Sequence, residues 1–342
     1  MMYSQMLSNP LKSINLAIDV FGADHGEKVI IEGCDLIADD INACFIFIGT
    51  KSVIEPIIFN CKNLKNYSII DTPNFVKPDE KGSNALRSGK NTSMRIGVDL
   101  VKDGKADAVI SAGNTGALLS ISYIVLRTIE GISRPAMTAF FPTKNGETAM
   151  LDLGANIECD SKNLVDFAFM GIAFSRIILK SKNPTVGLLN VGAEAQKGNS
   201  ILQEAASYLS NTSNEVNYFG FVEGNDIAEG NVDVIVTDGF SGNIALKTAE
   251  GTSKFVTYLL EKSFKSSIFS KIGFLFSKNG LQKMKDRVDP RKYNGAVLLG
   301  LNGIVVKSHG STDPEGFSNA VKVGYEMVEG NFIKDLKSKI ST

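Results

Sequence analysis

One unit recurs along this chain and decides what it can fold into: a short apolar run, a loop of glycine, asparagine and aspartate, then a helix-forming stretch. Residues 16–20, 44–48, 67–70, 108–110, 186–191, 216–221 and 232–236 read as strands. The continuously apolar, β-branched ones fit strands covered on both faces. Residues 27–38, 92–102, 117–127, 164–179 and 196–209 read as the helices between them. Such alternation predicts an α/β fold with a doubly wound, mostly parallel sheet. Residues 136–141 and 148–153 flank Lys144-Asn145-Gly146 and predict a hairpin, hence an antiparallel element. Residues 71–90, polar and carrying Pro73 and Pro78, read as one long loop. In doubly wound sheets ligands bind beyond the carboxyl ends of the strands, and all the glycine-rich loops are expected there.

A chain of 342 residues can bury a large core in one or two lobes. The expectation is a single catalytic unit, one lobe from residues 1–135 with 289–342 and the other from 136–288. A net charge of −1 supplies no field toward nucleic acid, and no nucleic-acid partner is expected. Cys34, Cys44, Cys61 and Cys159 show no C-x-x-C spacing and read as reduced thiols of a cytoplasmic protein. Residues 1–13 hold no apolar leader. The longest apolar stretches, 116–126 and 167–179, are too short to span a bilayer.

The most distinctive loop is Thr237-Asp238-Gly239-Phe240-Ser241-Gly242-Asn243, between a strand at 232–236 and a helix at 244–250. A turn of this kind aims backbone N–H groups and the positive end of a helix dipole at one point, where a phosphate could bind. Ser111-Ala112-Gly113-Asn114-Thr115-Gly116 opens another helix, with Thr115 as its expected cap. That loop lacks the Lys-Ser/Thr pair of a Walker A motif, and Gly22 and Gly26 do not complete a GxGxxG, so a nucleotide site is disfavoured.

The only two histidines, His25 and His309, each follow an apolar strand in a glycine-flanked loop. Each reads either as surface decoration or as a site residue that hydrogen-bonds an anion or acts as a general acid. Lys197-Gly198 places a cation beside a helix start and Lys247 lies one turn into another helix, each readable as a phosphate ligand or as a solvated side chain, and Arg134-Pro135 reads as a pre-set guanidinium whose fork suits phosphate. Asp19, Asp24, Asp152 and Asp238 read as loop anchors, because no His/Cys spacing supports a metal site. No G-x-S-x-G elbow is present, so acyl chemistry would proceed by direct attack of a bound nucleophile.

Residues 252–287 differ in texture. Val256, Leu260, Phe264, Ile268 and Ile272 recur every four residues, with Phe255, Leu259, Phe269 and Leu275 beside them. From Lys254 to Arg287, eight Lys/Arg stand against Glu261 and Asp286, a balance of +6. Gly273 and Asn279-Gly280 predict two helices rather than one. The segment reads as a helix on the core, a dimer contact, a docking face for an acidic protein or a membrane contact. Its expected contact residues are Lys254, Leu260, Lys262, Phe264, Lys265, Ile268 and Lys271.

Seven stretches then align in order with one family: IDVFGADHG (18–26), SMRIGVDLVKDGKADAVISAGNTGALL (93–119), RPA (134–136), LDLGAN (151–156), LLNVGAEAQKGN (188–199), VDVIVTDGFSGNIALKTAEG (232–251) and GAVLLGLNGIVVKSHGST (295–312). Over nearly its whole length the chain resembles the bacterial acyl-ACP:phosphate acyltransferases. The resemblance implies transfer of a long-chain fatty acyl group from acyl carrier protein to inorganic phosphate, giving acyl phosphate for phospholipid synthesis. It implies an isocitrate/isopropylmalate dehydrogenase-like three-layer fold, a homodimer, and neither cofactor nor metal. It adds a membrane surface and a downstream glycerol-3-phosphate acyltransferase as partners.

Carried over residue by residue, the resemblance makes Lys197, His309, His25 and Asn243 the catalytic group. Asp24, Gly113, Asn114, Thr115, Gly116, Arg134, Asn156, Gly198, Asp238, Gly239, Ser241, Gly242 and Lys247 would bind phosphate and thioester. Ala23, Gly26-Glu27 and Asp313-Pro314 depart from the family's pattern. Two alternatives stand beside this reading: a phosphotransacetylase-like enzyme using acyl-CoA, and a non-catalytic phospholigand-binding protein.

Overall fold

The computed structural model of the chain describes residues 13–212, 216–287, 289 and 291–340. Residues 1–12, most of the stretch read as free of a leader, lie outside the described residues. The alternation continues as expected through β1 (Ile14–Asp19), α1 (Glu27–Ile37), β2 (Ala43–Gly49), α2 (Lys51–Ile58), β3 (Tyr67–Asp71), α3 (Gly82–Ser88), α4 (Ser93–Lys102), β4 (Ala108–Ser111) and α5 (Thr115–Leu126). A hairpin follows, β5 (Ala136–Thr143) and β6 (Gly146–Leu151), then α6 (Ser161–Ile178), β7 (Thr185–Leu189), α7 (Ser200–Asn211), β8 (Asn217–Val222) and β9 (Val234–Val236). Two helices, α8 (Gly239–Lys265) and α9 (Ile268–Arg287), lead to β10 (Ala296–Leu299), β11 (Ile304–Lys307), α10 (Pro314–Glu329) and α11 (Phe332–Ile340).

These strands form one sheet in the order β3-β2-β1-β4-β11-β10-β5-β6-β9-β7-β8. Strands β1–β4, β10 and β11 occupy one half of it and β5–β9 the other. Helices cover both faces, a three-layer α/β fold. In β1, Leu16 and Ile18 share a core with Ile30 and Ile31 of α1 and Phe317 and Ala320 of α10. Ala17, pointing the other way, joins Val98 of α4 and Ile121 of α5. Burial on both sides explains why β1 is continuously apolar. Each fully buried Leu, Ile or Phe is worth about 1.5–3 kcal/mol, so packing against the sheet, more than intrinsic propensity, holds these helices.

The sheet corrects one expectation that matters for function. β1, β2, β3, β4 and β11 run parallel, and so do β6, β9, β7 and β8. Between the two groups, β11–β10, β10–β5 and β5–β6 are all antiparallel, which leaves the groups running in opposite directions. The glycine-rich loops after β1, β4 and β11 therefore point the opposite way from those after β6, β9 and β7. The registers Lys307↔Ala296, Val297↔Thr138 and Thr138↔Leu151 nonetheless bring the carboxyl ends of β11 and β6 to nearly the same level, near the middle of the sheet.

Local differences have local causes. α8 begins at Gly239 rather than near Ile244, because Asp238 caps it: its Oδ1 accepts the Ser241 N–H at 2.8 Å. The 71–90 segment contains α3, and α2 was not anticipated. The break between α8 and α9 falls at Ser266-Ser267, not at a glycine. Ser266 Oγ donates to Ser263 O at 2.7 Å, and Ser267 Oγ accepts the Ser270 N–H at 3.0 Å, which restarts the helix. Among the described residues no helix is long and apolar enough to cross a membrane.

Candidate active site

Three loops meet beyond β1, β4 and β11. The Asp24 N–H donates to Gly310 O at 2.8 Å, joining the β1–α1 loop to the β11–α10 loop. Gly22 (φ +94) lies so close to the β4–α5 loop that a Cβ would stand 2.3 Å from Gly113 Cα; only glycine fits there. Beneath them Asp19 is an anchor, as expected. Its Oδ1 accepts from Ser93 Oγ at 2.6 Å and its Oδ2 from Ser111 Oγ at 2.7 Å, and Ser111 Oγ in turn accepts the Gly113 N–H at 3.1 Å. Burial raises the Asp19 pKa; the hydroxyls, the Phe21 N–H and the Lys307 charge pull it back in part.

Lys307 was not singled out in the sequence, where it reads as the polar end of the run IVVK. In the fold it is buried, and its Nζ donates to Ala112 O at 3.2 Å and to Ser308 O. Burial lowers its pKa to about 8, against the pull of Asp19 and Asp24 and with the push of Lys247. A lysine closing an apolar, β-branched strand run was the available signal, and it is a weak one.

His309 stands exposed next in line. Its Nδ1 accepts the Ser311 N–H at 3.2 Å and lies 2.8 Å from Ser311 Oγ. With Nδ1 an acceptor, Nε2 carries the proton of the neutral ring. Partial desolvation, then the charges of Lys247 and Lys307, lower its pKa. Lys247, paired with Glu250 at 2.9 Å, thus acts electrostatically on both His309 and Lys307. α8 starts beyond β9, at Gly239, and two turns later carries Lys247 within electrostatic reach of these loops. Asn294, also missed in the sequence, organises the His309 loop. Its Oδ1 accepts the His309 N–H, and its Nδ2 donates to Ser308 Oγ, Thr312 Oγ1 and Gly316 O at 2.7–3.1 Å.

Asn114, not Thr115, caps α5, its Oδ1 accepting the Ala117 N–H at 3.0 Å. Its Nδ2 donates to Pro78 O at 2.8 Å and Glu80 O at 2.9 Å, strapping the preceding segment to the helix start. Asn114 is therefore a builder of the loop rather than an open phosphate ligand. Thr115 and Gly116 are exposed in the first turn, where backbone N–H groups have no intrahelical acceptor. α1 likewise starts at Gly26 without a side-chain cap. Asp24 and His25 stand exposed between these two helix starts.

The loops after β6 and β9 form a second cluster. Asp152 Oδ1 accepts from the N–H groups of Met137, Gly154 and Ala155, and Oδ2 from Asn156 N–H and Nδ2. Asn156 Nδ2 also donates to Pro135 O at 2.7 Å, so Asn156 is structural. α8 starts directly against this network: a Cβ on Gly242 would fall 1.9 Å from Asp152 O, and one on Gly239 2.5 Å from Asn156 O. The Gly239 N–H donates to Asn156 O and the Gly242 N–H to Asp238 O. Together with the Asp238–Ser241 cap these bonds occupy the helix start, and the Asp238 carboxylate fronts it. The expected anion cradle at 238–242 is thus largely a packing junction, with the Gly239, Ser241 and Gly242 N–H groups spent inside the protein.

Arg134 reaches Glu158 O at 3.3 Å, and Asn243 stands exposed beside Gly154. Lys197 and Gly198 (φ +89) occupy the β7–α7 loop, where Asn190 Nδ2 donates to Lys197 O at 3.1 Å and the Lys197 side chain is exposed. The structure therefore brings together Asp24, His25, Gly113, Thr115, Gly116, Lys247 and His309, with Lys307 added. Arg134, Asn156, Asp238, Gly239, Ser241, Gly242 and Asn243 belong to the second cluster, and Lys197 and Gly198 to a third loop.

α9 folds back along α8, with Phe264 edge-on to Phe274 at 5.4 Å. Leu260 and Phe264 are half-buried in the hairpin, whereas Lys254, Lys262, Lys265, Ile268 and Lys271 are exposed. Phe269 and Phe276, each 86% exposed, are its most open aromatic side chains. Arg287 Nη2 donates to Thr143 O at 2.6 Å and ties the end of α9 to the sheet.

Residues 14–335 match the family described as "Fatty acid synthesis protein". A phosphate acyltransferase of Rhodospirillum centenum is 49% identical over 328 residues, 95% of this chain and 92% of the relative. One of Paramagnetospirillum magneticum is 46% identical over 92% of this chain and 91% of its own length. Among solved structures, a phosphotransacetylase of Streptococcus pyogenes superposes with a TM-score of 0.64 at 17% identity, covering 93% of this chain and 94% of that one. A putative 4-hydroxythreonine-4-phosphate dehydrogenase of Salmonella typhimurium reaches 0.53 at 13% identity, over 92% of this chain and 100% of its own. These likenesses concern the fold alone.

Proposed function

The chain belongs to the bacterial phosphate acyltransferase family, and on that premise we propose that it moves a long-chain acyl group from acyl carrier protein to inorganic phosphate. The observation that supports the reading most is the convergence of four cationic or N–H-donating groups on the loops beyond β1, β4 and β11. These are Lys307 at the floor, Lys247 and the His309 ring at the side, and the exposed first turn of α5. Phosphate binds to the Thr115 and Gly116 N–H groups. One of its oxygens attacks the thioester carbonyl carbon, positioning supplying much of the rate. The His309 Nε2–H donates to the carbonyl oxygen as it becomes an oxyanion, an interaction typically worth about 3–4 kcal/mol. The C–S bond then breaks and the carrier's thiol leaves.

Lys197 and Asn243 are two exposed polar side chains that the other half of the chain offers to the same substrate. Loss of turnover in Lys197→Ala with the fold intact keeps Lys197 in the site; wild-type turnover removes it. The α8–α9 hairpin, basic and apolar, is proposed to dock the acidic carrier and to rest on the membrane that receives the acyl phosphate, with a homodimer as the working form.

The deciding experiment supplies phosphate with palmitoyl carrier protein, palmitoyl-CoA and acetyl-CoA in turn. Preference for the carrier-bound acyl chain is expected. Turnover of acetyl-CoA alone would mean a phosphotransacetylase-like enzyme, and no turnover of any would mean a phospholigand-binding protein.

A further inference from the structure

Resting on the reaction just proposed, the geometry points to Lys307 as the proton relay of the site: its ammonium protonates the departing thiolate and recovers the proton from the acyl phosphate product. Three observations carry this. Lys307 Nζ lies where the β4–α5 and β11–α10 loops meet, held by Ala112 O and Ser308 O, and the third N–H of its ammonium is left over for substrate. His309, two residues on, accepts at Nδ1 from the Ser311 N–H, so the proton of the neutral ring is at Nε2, and a neutral imidazole N–H is far too weak an acid to protonate a thiolate. His25 stands exposed on the first loop, whereas Lys307 is buried beneath the loops that meet there.

The proton count closes without an outside co-reactant. Hydrogen phosphate dianion attacks the thioester carbon; the P–O–C linkage forms and the C–S bond breaks. The Lys307 ammonium gives its proton to sulfur, leaving a free thiol and a neutral amine. The acyl phosphate, still carrying the proton that entered on phosphate, is much the stronger acid and returns it to Nζ. The net change is hydrogen phosphate dianion plus thioester going to acyl phosphate dianion plus thiol.

The charges that face Lys307 suit this cycle. Asp19 on β1 and Asp24 on the first loop hold the proton on, and Lys247 on α8 pushes it off. Its pKa of about 8 is close to that of an alkyl thiol, about 8.5, so transfer to a nascent thiolate is nearly isoenergetic.

The test varies the leaving group. Full-length wild type, Lys307→Met and Lys307→Arg are assayed with phosphate and either palmitoyl carrier protein or S-(4-nitrophenyl) thiooctanoate, whose aryl thiolate departs without a proton. Circular dichroism checks each fold. Lys307→Met should lose on the order of a hundredfold or more in kcat on the alkyl thioester and only a few-fold on the aryl one. In the wild type, an alkaline limb near pH 8 should appear with the alkyl thioester and vanish with the aryl one, a comparison that needs no variant. Equal losses on both thioesters, or equal losses with a raised phosphate KM, would overturn the relay and make Lys307 a phosphate ligand. A wild type inactive on both thioesters would instead sink the acyl-transfer reading on which the relay rests.

Discussion

Asn294 accepts the main-chain N–H of His309 at 2.9 Å while its amide donates to Ser308, Thr312 and Gly316, so one side chain fixes the loop that carries the imidazole. Asn294→Ala strands a backbone donor and several acceptors, and leaving such groups unsatisfied costs about 1–3 kcal/mol. We expect a lower denaturant midpoint and a fall in kcat larger than the change in phosphate KM. Asn294→Asp keeps the acceptor for His309 but loses the donors, so it should recover part of the kcat. Equal kcat in the alanine and aspartate variants would show that the His309 contact does not matter.

Two glycines of the first loop separate strain from crowding. Gly26→Ala meets nothing within 4 Å and only forces alanine to φ +80, costing about 1–2 kcal/mol. Gly22→Ala carries the same strain at φ +94 and also drives a Cβ to 2.3 Å from Gly113 Cα, backbone against backbone. Overpacking adds about 1–3 kcal/mol and displaces the start of α5. Thermal melts should therefore rank Gly22→Ala well below Gly26→Ala, with phosphate KM raised in Gly22→Ala.

Much of this arrangement was legible in the sequence. Strand, loop and helix positions followed from periodicity and capping residues, and Lys247 and His309, both singled out in the sequence, interact electrostatically in the fold. What was not legible depends on partners distant in the chain. The antiparallel pairings β11–β10, β10–β5 and β5–β6 turn half of the loops to point the opposite way, and nothing near Ala296 or Ala136 announces it. Asp238 looked like the edge of an anion cradle because the packing of Gly239 on Asn156 and of Gly242 on Asp152 is a tertiary fact, whereas its cap on Ser241 is local. Lys307 and Asn294 were missed because burial and four hydrogen bonds, not composition, give them their roles.

Lys307 also makes opposite demands on pH. Its folded pKa, about 8, is depressed from the ordinary 10.5. Activity that needs its proton should fall as pH rises through about 8. Stability should move the other way: between those values the unfolded chain binds more protons than the folded one, so the Lys307 contribution to unfolding free energy grows with pH. The difference in melting between wild type and Lys307→Met isolates it from other alkaline titrations. Asp19→Asn removes a charge that favours the ammonium, so the alkaline limb should shift to lower pH. A limb unmoved by that substitution would mean another group titrates there.

The α8–α9 hairpin makes the last prediction. Phe269 and Phe276 are each 86% exposed, and the lysines around them are exposed as well. Burying such rings in lipid is favourable by about 25 cal/mol per Å² of apolar surface, and nearby lysines add attraction to anionic headgroups. Phe269→Glu and Phe276→Glu should leave the melting temperature unchanged, since neither ring is packed, yet abolish flotation with phosphatidylglycerol-containing vesicles. Phe264→Glu serves as the contrast: its ring packs on Phe274, so it should destabilise the hairpin itself. Raised salt should weaken vesicle binding of the wild type through its lysines. If both exposed-ring variants still float with vesicles, the hairpin does not meet the membrane, and undiminished turnover of palmitoyl carrier protein by the same variants would remove carrier docking from these two rings as well.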